Sequence, residues 1–171
     1  MPVALMQEAV VTSDGKLTMG RSVFRVALGK RGVRADKTEG DGATPAGMLT
    51  LRRLLYRADR VKLFRCAVHR EPIAPQDGWC DDPTHLDYNR QVRLPHPASH
   101  EELWRQDGLY DVVGVLGWND APVARRRGSA IFLHVARPDY GPTEGCVAMA
   151  LADLRTVLEA GLTAVRVLGS S

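Results

Sequence analysis

The chain has few cysteines and no long apolar run, and each shortage excludes a class of protein. Of its 171 residues, only Cys66, Cys80 and Cys146 are cysteines, an odd number that indicates free thiols in a reducing compartment rather than a disulfide scaffold. No stretch approaches the ~20 apolar residues of a membrane span. The first residues have neither the basic start nor the apolar core of a signal peptide. We therefore expect a cytoplasmic protein with no membrane partner, or a periplasmic one if an export signal has been removed.

A strong excess of charge of one sign is also missing. The formal net charge is +3, and because basic and aromatic residues do not interleave, we expect no nucleic-acid partner. The 44% hydrophobic and 25% charged fractions are ordinary for a soluble globular protein. The length is close to the ~150 residues of a typical domain, which predicts a single domain over residues 1–171. The sequence predicts no oligomeric state.

Short β-type segments outnumber helical ones along the chain. Apolar runs rich in β-forming residues predict strands, and the Asp14-Gly15 pair predicts a hairpin turn after the first of them. We therefore predict a mainly β fold, a β-sandwich or open barrel of mixed sheets with one or two short helices, rather than a doubly wound parallel sheet. The predicted strands cover residues 3–11, 17–28, 48–51, 110–116, 129–135 and 163–168.

Two short helices and one long irregular segment complete the prediction. Apolar residues on one face predict a helix over residues 151–160, with Gly161 as its stop. Ser99 and Glu102 have capping-box spacing, which predicts a second helix that ends near Gln106. Residues 72–97 are dense in Pro, Asp, Gly and Asn, which is typical of a functional loop or lid.

One histidine and one cysteine lie at the two ends of a single polar loop. His134 follows a buried-type strand, and Cys146 comes 12 positions later, after Gly145. A thiol needs a neighbouring base to become a good nucleophile. Gly145 allows close approach of a substrate, and its amide and that of Cys146 can face a developing oxyanion. The pattern predicts a cysteine acyl-transfer enzyme in which His134 is the base and a backbone carbonyl, such as that of Val135, orients its ring.

Both residues also have a structural alternative. Free cysteine is among the most buried residue types, and a histidine on an apolar strand is often a hydrogen-bonded core residue. A metal site would need three or four ligands at short spacings. Cys80 and His85 are five positions apart, but they lie in a polar loop. We therefore expect neither a metal ion nor a cofactor.

Arg137 and Tyr140 lie inside the loop between the histidine and the cysteine. Both are candidates to bind a peptide carboxylate, since an arginine grips this group with two parallel hydrogen bonds. A solvated loop is the alternative. Only four of the 23 basic residues are lysines, a bias that suits an acidic peptide substrate or reflects codon usage.

Two short motifs, one in each half of the chain, carry a specific resemblance. The stretch Thr143-Glu144-Gly145-Cys146-Val147, with His134 upstream, resembles the catalytic signature of the L,D-transpeptidase (YkuD) domain family. Thr44-Pro45-Ala46-Gly47 looks like the TPxG turn of the same family. The stretch from Trp79-Cys80-Asp81-Asp82 to Gly128-Ser129 is similar to a subgroup of short bacterial members without signal peptides. The resemblance covers nearly the whole chain.

The resemblance implies an L,D-transpeptidase-like β-sandwich and a reaction on peptidoglycan. A thiolate attacks the bond between the diamino acid and D-Ala of a tetrapeptide stem, D-Ala leaves, and a thioester remains on Cys146. An amine acceptor then gives a cross-link, whereas water gives a tripeptide, the L,D-carboxypeptidase outcome that we expect of a cytoplasmic enzyme. The partners are muropeptides or stem peptides. By position, Cys146, His134 and Gly145 take the catalytic roles, and Thr143 joins Arg137 and Tyr140 as a substrate-binding candidate.

The chain departs from the family pattern at three points. Glu144 stands where a second histidine is usual, Ala148 stands where Arg or Asn is common, and the spacing from His134 to Cys146 is short. Glu144 and Ala148 keep open the hypothesis of a catalytically silent muropeptide-binding module, and a thiol hydrolase of another amide bond is a third hypothesis.

Overall fold

The computed structural model describes residues 7–169 as a mainly β fold, which confirms the predicted fold class. In this part of the chain, no helix is long and apolar enough to cross a membrane. The elements are β1 (Gln7–Thr12), β2 (Lys16–Met19), β3 (Ser22–Arg25), β4 (Val33–Arg34), β5 (Thr44–Pro45), β6 (Gly47–Tyr56), β7 (Arg70–Pro72), β8 (Asp77–Cys80), β9 (Gln91–Arg93), β10 (His100–Glu102), β11 (Val112–Leu116), β12 (Phe132–Val135), β13 (Val147–Met149), α1 (Leu151–Glu159) and β14 (Leu162–Val167).

Nine strands form one mixed sheet. Its order is β13-β12-β11-β6-β14-β1-β2-β3, and β7 pairs with β6 beside this path. Strand β12 pairs antiparallel with β11 and parallel with β13. Strands β1 and β14 also run parallel, so the two ends of the described chain lie side by side. A mixed sheet was the prediction, and the parallel β12–β13 pair is the part that positions the candidate site.

Side chains on the two faces of the β12 region belong to two different apolar cores. Leu133 packs in one cluster with Leu154 and Leu158 of α1, whereas Phe132 packs in a second cluster with Trp79. Alternation of side chains along a strand explains this division, because neighbouring residues point to opposite faces of the sheet. Apolar cores on both faces are consistent with a β-sandwich.

The helix predicted after Ser99 is wrong, and the segment before it is more regular than predicted. Residues 100–102 form strand β10, which pairs with β8, and β8 also pairs with β9. Strands β8 and β9 lie within residues 72–97, so this excursion contributes two strands of a three-stranded sheet. The pairing places Leu103 fully in the core. Burial and strand pairing outweigh the local capping signal, which is only a weak preference.

The remaining predictions hold with shifted boundaries. The strand predicted over residues 17–28 is broken by a turn at Gly20, whose φ is +60°, into the hairpin of β2 and β3. The predicted first strand starts at Gln7 in the described chain, and residues 3–6 lie outside it. Helix α1 ends one residue earlier than predicted, before Gly161 with a φ of +97°.

Candidate active site

His134 lies in β12, and Cys146 immediately precedes the adjacent parallel strand β13. Leu133 is paired with Val147, so Cys146, just before β13, stands opposite Phe132, two residues before His134. The two side chains are 6% and 8% exposed. Both line one cavity of about 450 Å³. The structure therefore brings the predicted nucleophile and the predicted base to one wall of a single cavity.

The ring of His134 is held in the tautomer that a general base needs. Its Nδ1 lies 2.9 Å from the carbonyl oxygen of Val135, the orienting group predicted from the sequence. A carbonyl only accepts, so Nδ1 carries the hydrogen and Nε2 keeps its lone pair. The ring of Tyr110 packs edge-on at 5.2 Å between centroids. Burial lowers the pKa of His134 to about 4, so the imidazole is neutral near pH 7.

The thiol of Cys146 is protonated and engaged with the backbone. Its Sγ donates to the carbonyl oxygen of Ala130 at 3.2 Å, and the N–H of Phe132 donates to Sγ at 3.4 Å. Burial and, next, the charge of Glu101 raise the pKa of Cys146 to about 12. No hydrogen bond between described residues joins Sγ to the imidazole of His134. The free protein thus holds a neutral thiol and a neutral imidazole in one cavity, and the thiol donates to Ala130 rather than to the base.

Asn89 fixes the backbone that holds the sulfur, a role that no sequence pattern indicated. Its Oδ1 accepts from the N–H of Ala130 and from the indole of Trp79, both at 3.0 Å. Its Nδ2 donates to the carbonyl oxygens of Trp118 and Asn119. Ala130 has a φ of +54°, a conformation that is uncommon outside glycine. Asn89 lies inside the stretch from Trp79 to Ser129 that carries part of the resemblance, but nothing in that stretch indicated its role.

Gly145 and Thr143 shape the turn that presents the cysteine. Gly145 has a φ of +147°, and a Cβ there would lie 2.8 Å from the carbonyl oxygen of Ala43, so no other residue fits without strain. Its N–H donates to Oγ1 of Thr143 at 3.0 Å, and this hydroxyl donates to the carbonyl oxygen of Cys146 at 2.7 Å. The Gly145 amide is therefore engaged in the free protein, and use as an oxyanion donor would require this bond to open.

The two motifs of the resemblance meet at this turn. Oγ1 of Thr44, in the TPxG motif, accepts from the N–H of Gly29 at 2.9 Å. The residues on either side of Gly29 bind the backbone of Thr143. The N–H of Thr143 donates to the carbonyl of Leu28, and the carbonyl of Thr143 accepts from the N–H of Lys30, both at 2.9 Å. The N-terminal motif thus positions the segment on which the Gly-Cys turn is built.

The three substrate-binding candidates separate in the structure. Arg137 and Thr143 line the cavity with Cys146, whereas Tyr140 does not. The guanidinium of Arg25 instead lies over the ring of Tyr140, with 4.2 Å between the guanidinium carbon and the ring centroid. Both residues line a second cavity, which Lys16 also lines. Arg137 is exposed, and among residues 7–169 it has no ion-pair partner. Its guanidinium is therefore available for a carboxylate.

The residues that depart from the family pattern have local structural roles. Glu144 is exposed and forms an ion pair with Lys30 at 3.0 Å. Ala148 is buried at the cavity wall and exchanges two backbone hydrogen bonds with Ala27, at 2.9 and 2.7 Å. Neither side chain acts on the sulfur directly.

Ionisable residues from several separate segments of the chain also line the cavity, and no sequence motif indicated them. Lys37 is 3% exposed and binds Oδ1 of Asp41 at 2.5 Å. Glu101 accepts from the hydroxyl of Tyr110 at 2.7 Å. Because these residues come from separate segments of the chain, no sequence spacing could show that they converge. Glu39, Asp81 and Arg105 line the same cavity.

Among the described residues, His85, Asp87 and His96 form a group whose potential metal-ligand atoms lie within 4.8 Å of one another. The N–H of Asp87 donates to Nδ1 of His85 at 3.0 Å, and the N–H of Ala98 donates to Nδ1 of His96 at 3.2 Å. Each neutral ring therefore carries its hydrogen on Nε2. Nε2 of His96 lies 3.0 Å from a carboxylate oxygen of Asp87. A metal-bound histidine normally donates its second N–H to an acceptor. These hydrogen bonds thus suit a loop clamp better than a metal centre.

The fold and the cavity agree with a sequence comparison that defines the class of the protein. The family profile described as the L,D-transpeptidase catalytic domain (YkuD) matches residues 6–167. The chain belongs to this family, whose domains are L,D-transpeptidase-type catalytic domains of peptidoglycan metabolism. A search of curated proteins returned no match.

Proposed function

We propose that the protein is a cysteine acyltransferase that acts on the tetrapeptide stem of peptidoglycan. Cys146 attacks the carbonyl carbon between the diamino acid and D-Ala, and His134 accepts the thiol proton. The carbon–nitrogen bond breaks, the proton on His134 passes to the leaving amine, and D-Ala departs from a thioester on Cys146. An amine or water then takes the acyl group and restores the thiol.

The observation that carries this proposal is the shared cavity wall of the two residues. His134 in β12 and Cys146 at the start of β13 line the same cavity, and the imidazole presents an unprotonated Nε2. A neutral base beside a neutral thiol is the arrangement in which proton transfer accompanies attack, so a reactive thiolate does not exist before substrate binds.

Arg137 supports the choice of a substrate with a free carboxylate. Its guanidinium reaches the cavity and is without an ion-pair partner in the described chain. Arg105 lies close enough to His134 to lower the pKa of that histidine. Arg105 is paired with Asp107, so Arg137 is the cation that suits the terminal carboxylate of D-Ala, whose amine receives the proton from His134.

The proposal is tested by incubating the protein with a disaccharide-tetrapeptide. We expect a disaccharide-tripeptide, a cross-linked dimer or both, and loss of both products in Cys146→Ala and His134→Ala. The matched control is Cys66→Ala, because this half-buried cysteine bonds to the carbonyl of Val68 and does not line the cavity. Turnover that survives in Cys146→Ala would overturn the proposal. Binding of the muropeptide without turnover in the wild type would favour the silent binding module.

A further inference from the structure

Lys37 is a buried cation whose hydrogen-bonding capacity is only partly used. Its side chain is 3% exposed. An ammonium group has three N–H donors. Among residues 7–169, Nζ of Lys37 donates to Oδ1 of Asp41 at 2.5 Å and to the carbonyl oxygen of Thr38 at 3.2 Å. One N–H is therefore left for a ligand, and a buried charged donor gains most when it finds an acceptor.

The ion pair between Lys37 and Asp41 presents its lysine to the cavity that contains Cys146. Lys37 lines this cavity, whereas Asp41 does not. The carboxylate is instead fixed by the backbone. Its Oδ1 accepts from the N–H of Ala43 and its Oδ2 from the N–H of Thr38, both at 2.9 Å. The lysine is therefore the charged member of the pair that a ligand in the cavity meets.

The stem of Lys37 lies close to the segment that holds the sulfur. A Cβ added at Gly128 would lie 3.1 Å from Cε of Lys37, so glycine at this position leaves room for the stem. Two residues later, the carbonyl oxygen of Ala130 accepts from Sγ of Cys146 at 3.2 Å. Burial and the charge of Glu101 raise the pKa of Cys146, and the charge of Lys37 opposes them. The ammonium thus favours negative charge at the reacting centre.

The reaction at Cys146 needs a donor of this kind. Attack of sulfur on a carbonyl carbon leaves negative charge on the carbonyl oxygen, and N–H donors in a site with little water stabilise that charge most. The donor expected from the sequence, the N–H of Gly145, is bound to Oγ1 of Thr143 in the free protein. A charged N–H that no protein group occupies is therefore better placed to meet the oxygen than a backbone amide that is already engaged.

We propose that Lys37 donates its remaining N–H to the oxygen of the scissile carbonyl and stabilises the oxyanion that forms when Cys146 attacks. This inference rests on the proposed function and adds a catalytic residue to it. In the attack, the carbon–sulfur bond forms, the π electron pair of the carbonyl moves to oxygen, and His134 takes the thiol proton. Lys37 keeps its three protons throughout. When the carbon–nitrogen bond breaks, the electron pair returns from oxygen to carbon, and the hydrogen bond from Lys37 weakens.

The test replaces the ammonium and measures the acylation step. Lys37→Met removes the charge and keeps a side chain of similar length. Because this change leaves Asp41 buried without its cation, the double variant Lys37→Met/Asp41→Asn is measured beside it. The matched control is Lys62→Met, an exposed lysine outside the cavity. The readouts are the single-turnover rate constant of D-Ala release from a disaccharide-tetrapeptide and the donor concentration that gives half of this rate. Thermal unfolding checks that each variant is folded.

We expect the rate constant to fall by about a hundredfold in both Lys37 variants, the loss typical of one oxyanion donor. The half-saturating concentration should change by less than about twofold, because the bond to Lys37 strengthens only in the transition state. Lys62→Met should match the wild type. An unchanged rate constant, with or without weaker donor binding, would overturn the inference and leave the acyltransferase proposal intact. A wild type that releases no D-Ala would contradict the proposed function itself.

A second measurement separates the charge of Lys37 from a role in holding the loop. Iodoacetate is an anion and iodoacetamide is a neutral reagent of similar size, and mass mapping gives the rate at which each alkylates Cys146. A cation in the cavity favours the anion. We expect the ratio of the two rates to fall several-fold in both Lys37 variants and to stay unchanged in Lys62→Met. An unchanged ratio in the Lys37 variants would mean that Lys37 only supports the loop, and it would overturn the inference without any use of a substrate.

Discussion

Acidification provides a quantitative test of the buried, neutral His134. Its pKa is about 4 in the folded protein, against about 6.5 in an unfolded chain. The unfolded state therefore binds more protons between these two values, and the free energy of unfolding must fall as the pH falls through this window. Each pKa unit corresponds to about 1.4 kcal/mol. We expect protonation of His134 to lower the free energy of unfolding by about 3 kcal/mol between pH 7 and pH 4.

The measurement is urea unfolding of the wild type and of His134→Asn across pH 4 to 8. Asparagine retains an N–H that can donate to the carbonyl of Val135 but has no charge to gain. With an m-value of about 2 kcal/mol/M, the urea midpoint of the wild type should fall by about 1.5 M more than that of the variant between pH 7 and pH 4. Other acids cancel in the comparison: Asp107, whose pKa is about 2 because of Arg105, destabilises both proteins at lower pH.

Parallel pH profiles of wild type and His134→Asn would refute this reasoning. They would mean that His134 gains its proton in the folded state as easily as in the unfolded one, so that the imidazole is either solvated or paired with an acid. The proposed proton transfer from Cys146 would then have to begin from a charged pair.

Three further predictions follow from the contacts around the sulfur. Alkylation of Cys146 in the free protein should be slow at pH 7 and should become faster only above pH 9, because the pKa of the thiol is about 12. Mass mapping should show half-buried Cys66 reacting first, and fast reaction of Cys146 at neutral pH would contradict a protonated Cys146 thiol in the free protein. Asn89→Asp should lower the free energy of unfolding by about 2–4 kcal/mol, measured by denaturant titration, because its carboxylate would face two backbone carbonyls; an unchanged midpoint would argue against the network. Gly145→Ala should cost about 1–3 kcal/mol and most of the turnover, because its Cβ would meet Ala43; full activity in a kinetic assay would contradict this.

Local patterns predicted the parts of the fold in which one segment decides its own structure. The amphipathic stretch that became α1 and the Asp14-Gly15 turn are both of this kind. The helix expected after Ser99 failed because its capping signal competes with pairing to β8, a partner about 20 residues away that no local pattern contains. The strand predicted over residues 17–28 was wrong for a local reason, since the positive φ of Gly20 ends β2 and starts a hairpin.

The residues of the candidate site also fall into those that local sequence patterns predict and those that only the folded chain brings together. His134 and the Gly145-Cys146 pair lie at the two ends of one loop, so their spacing alone predicted a common site. Glu101 and Asn89 contribute from other segments, and only the folded chain shows that they reach the cavity or its supporting backbone. Tyr140 lies in the loop between His134 and Cys146, but its ring packs against Arg25. The position of a residue in a loop does not determine the direction of its side chain.

Trapping of the acyl-enzyme tests the central claim most directly. The wild type is mixed with a disaccharide-tetrapeptide, quenched in acid within seconds and digested, and the peptide that contains Cys146 is measured by mass spectrometry. We predict an added mass equal to the donor minus D-Ala, on Cys146 alone, sensitive to hydroxylamine, and strongly reduced in His134→Ala. An adduct on Cys66 or Cys80, or release of D-Ala without any adduct on Cys146, would contradict the claim that this cysteine is the nucleophile.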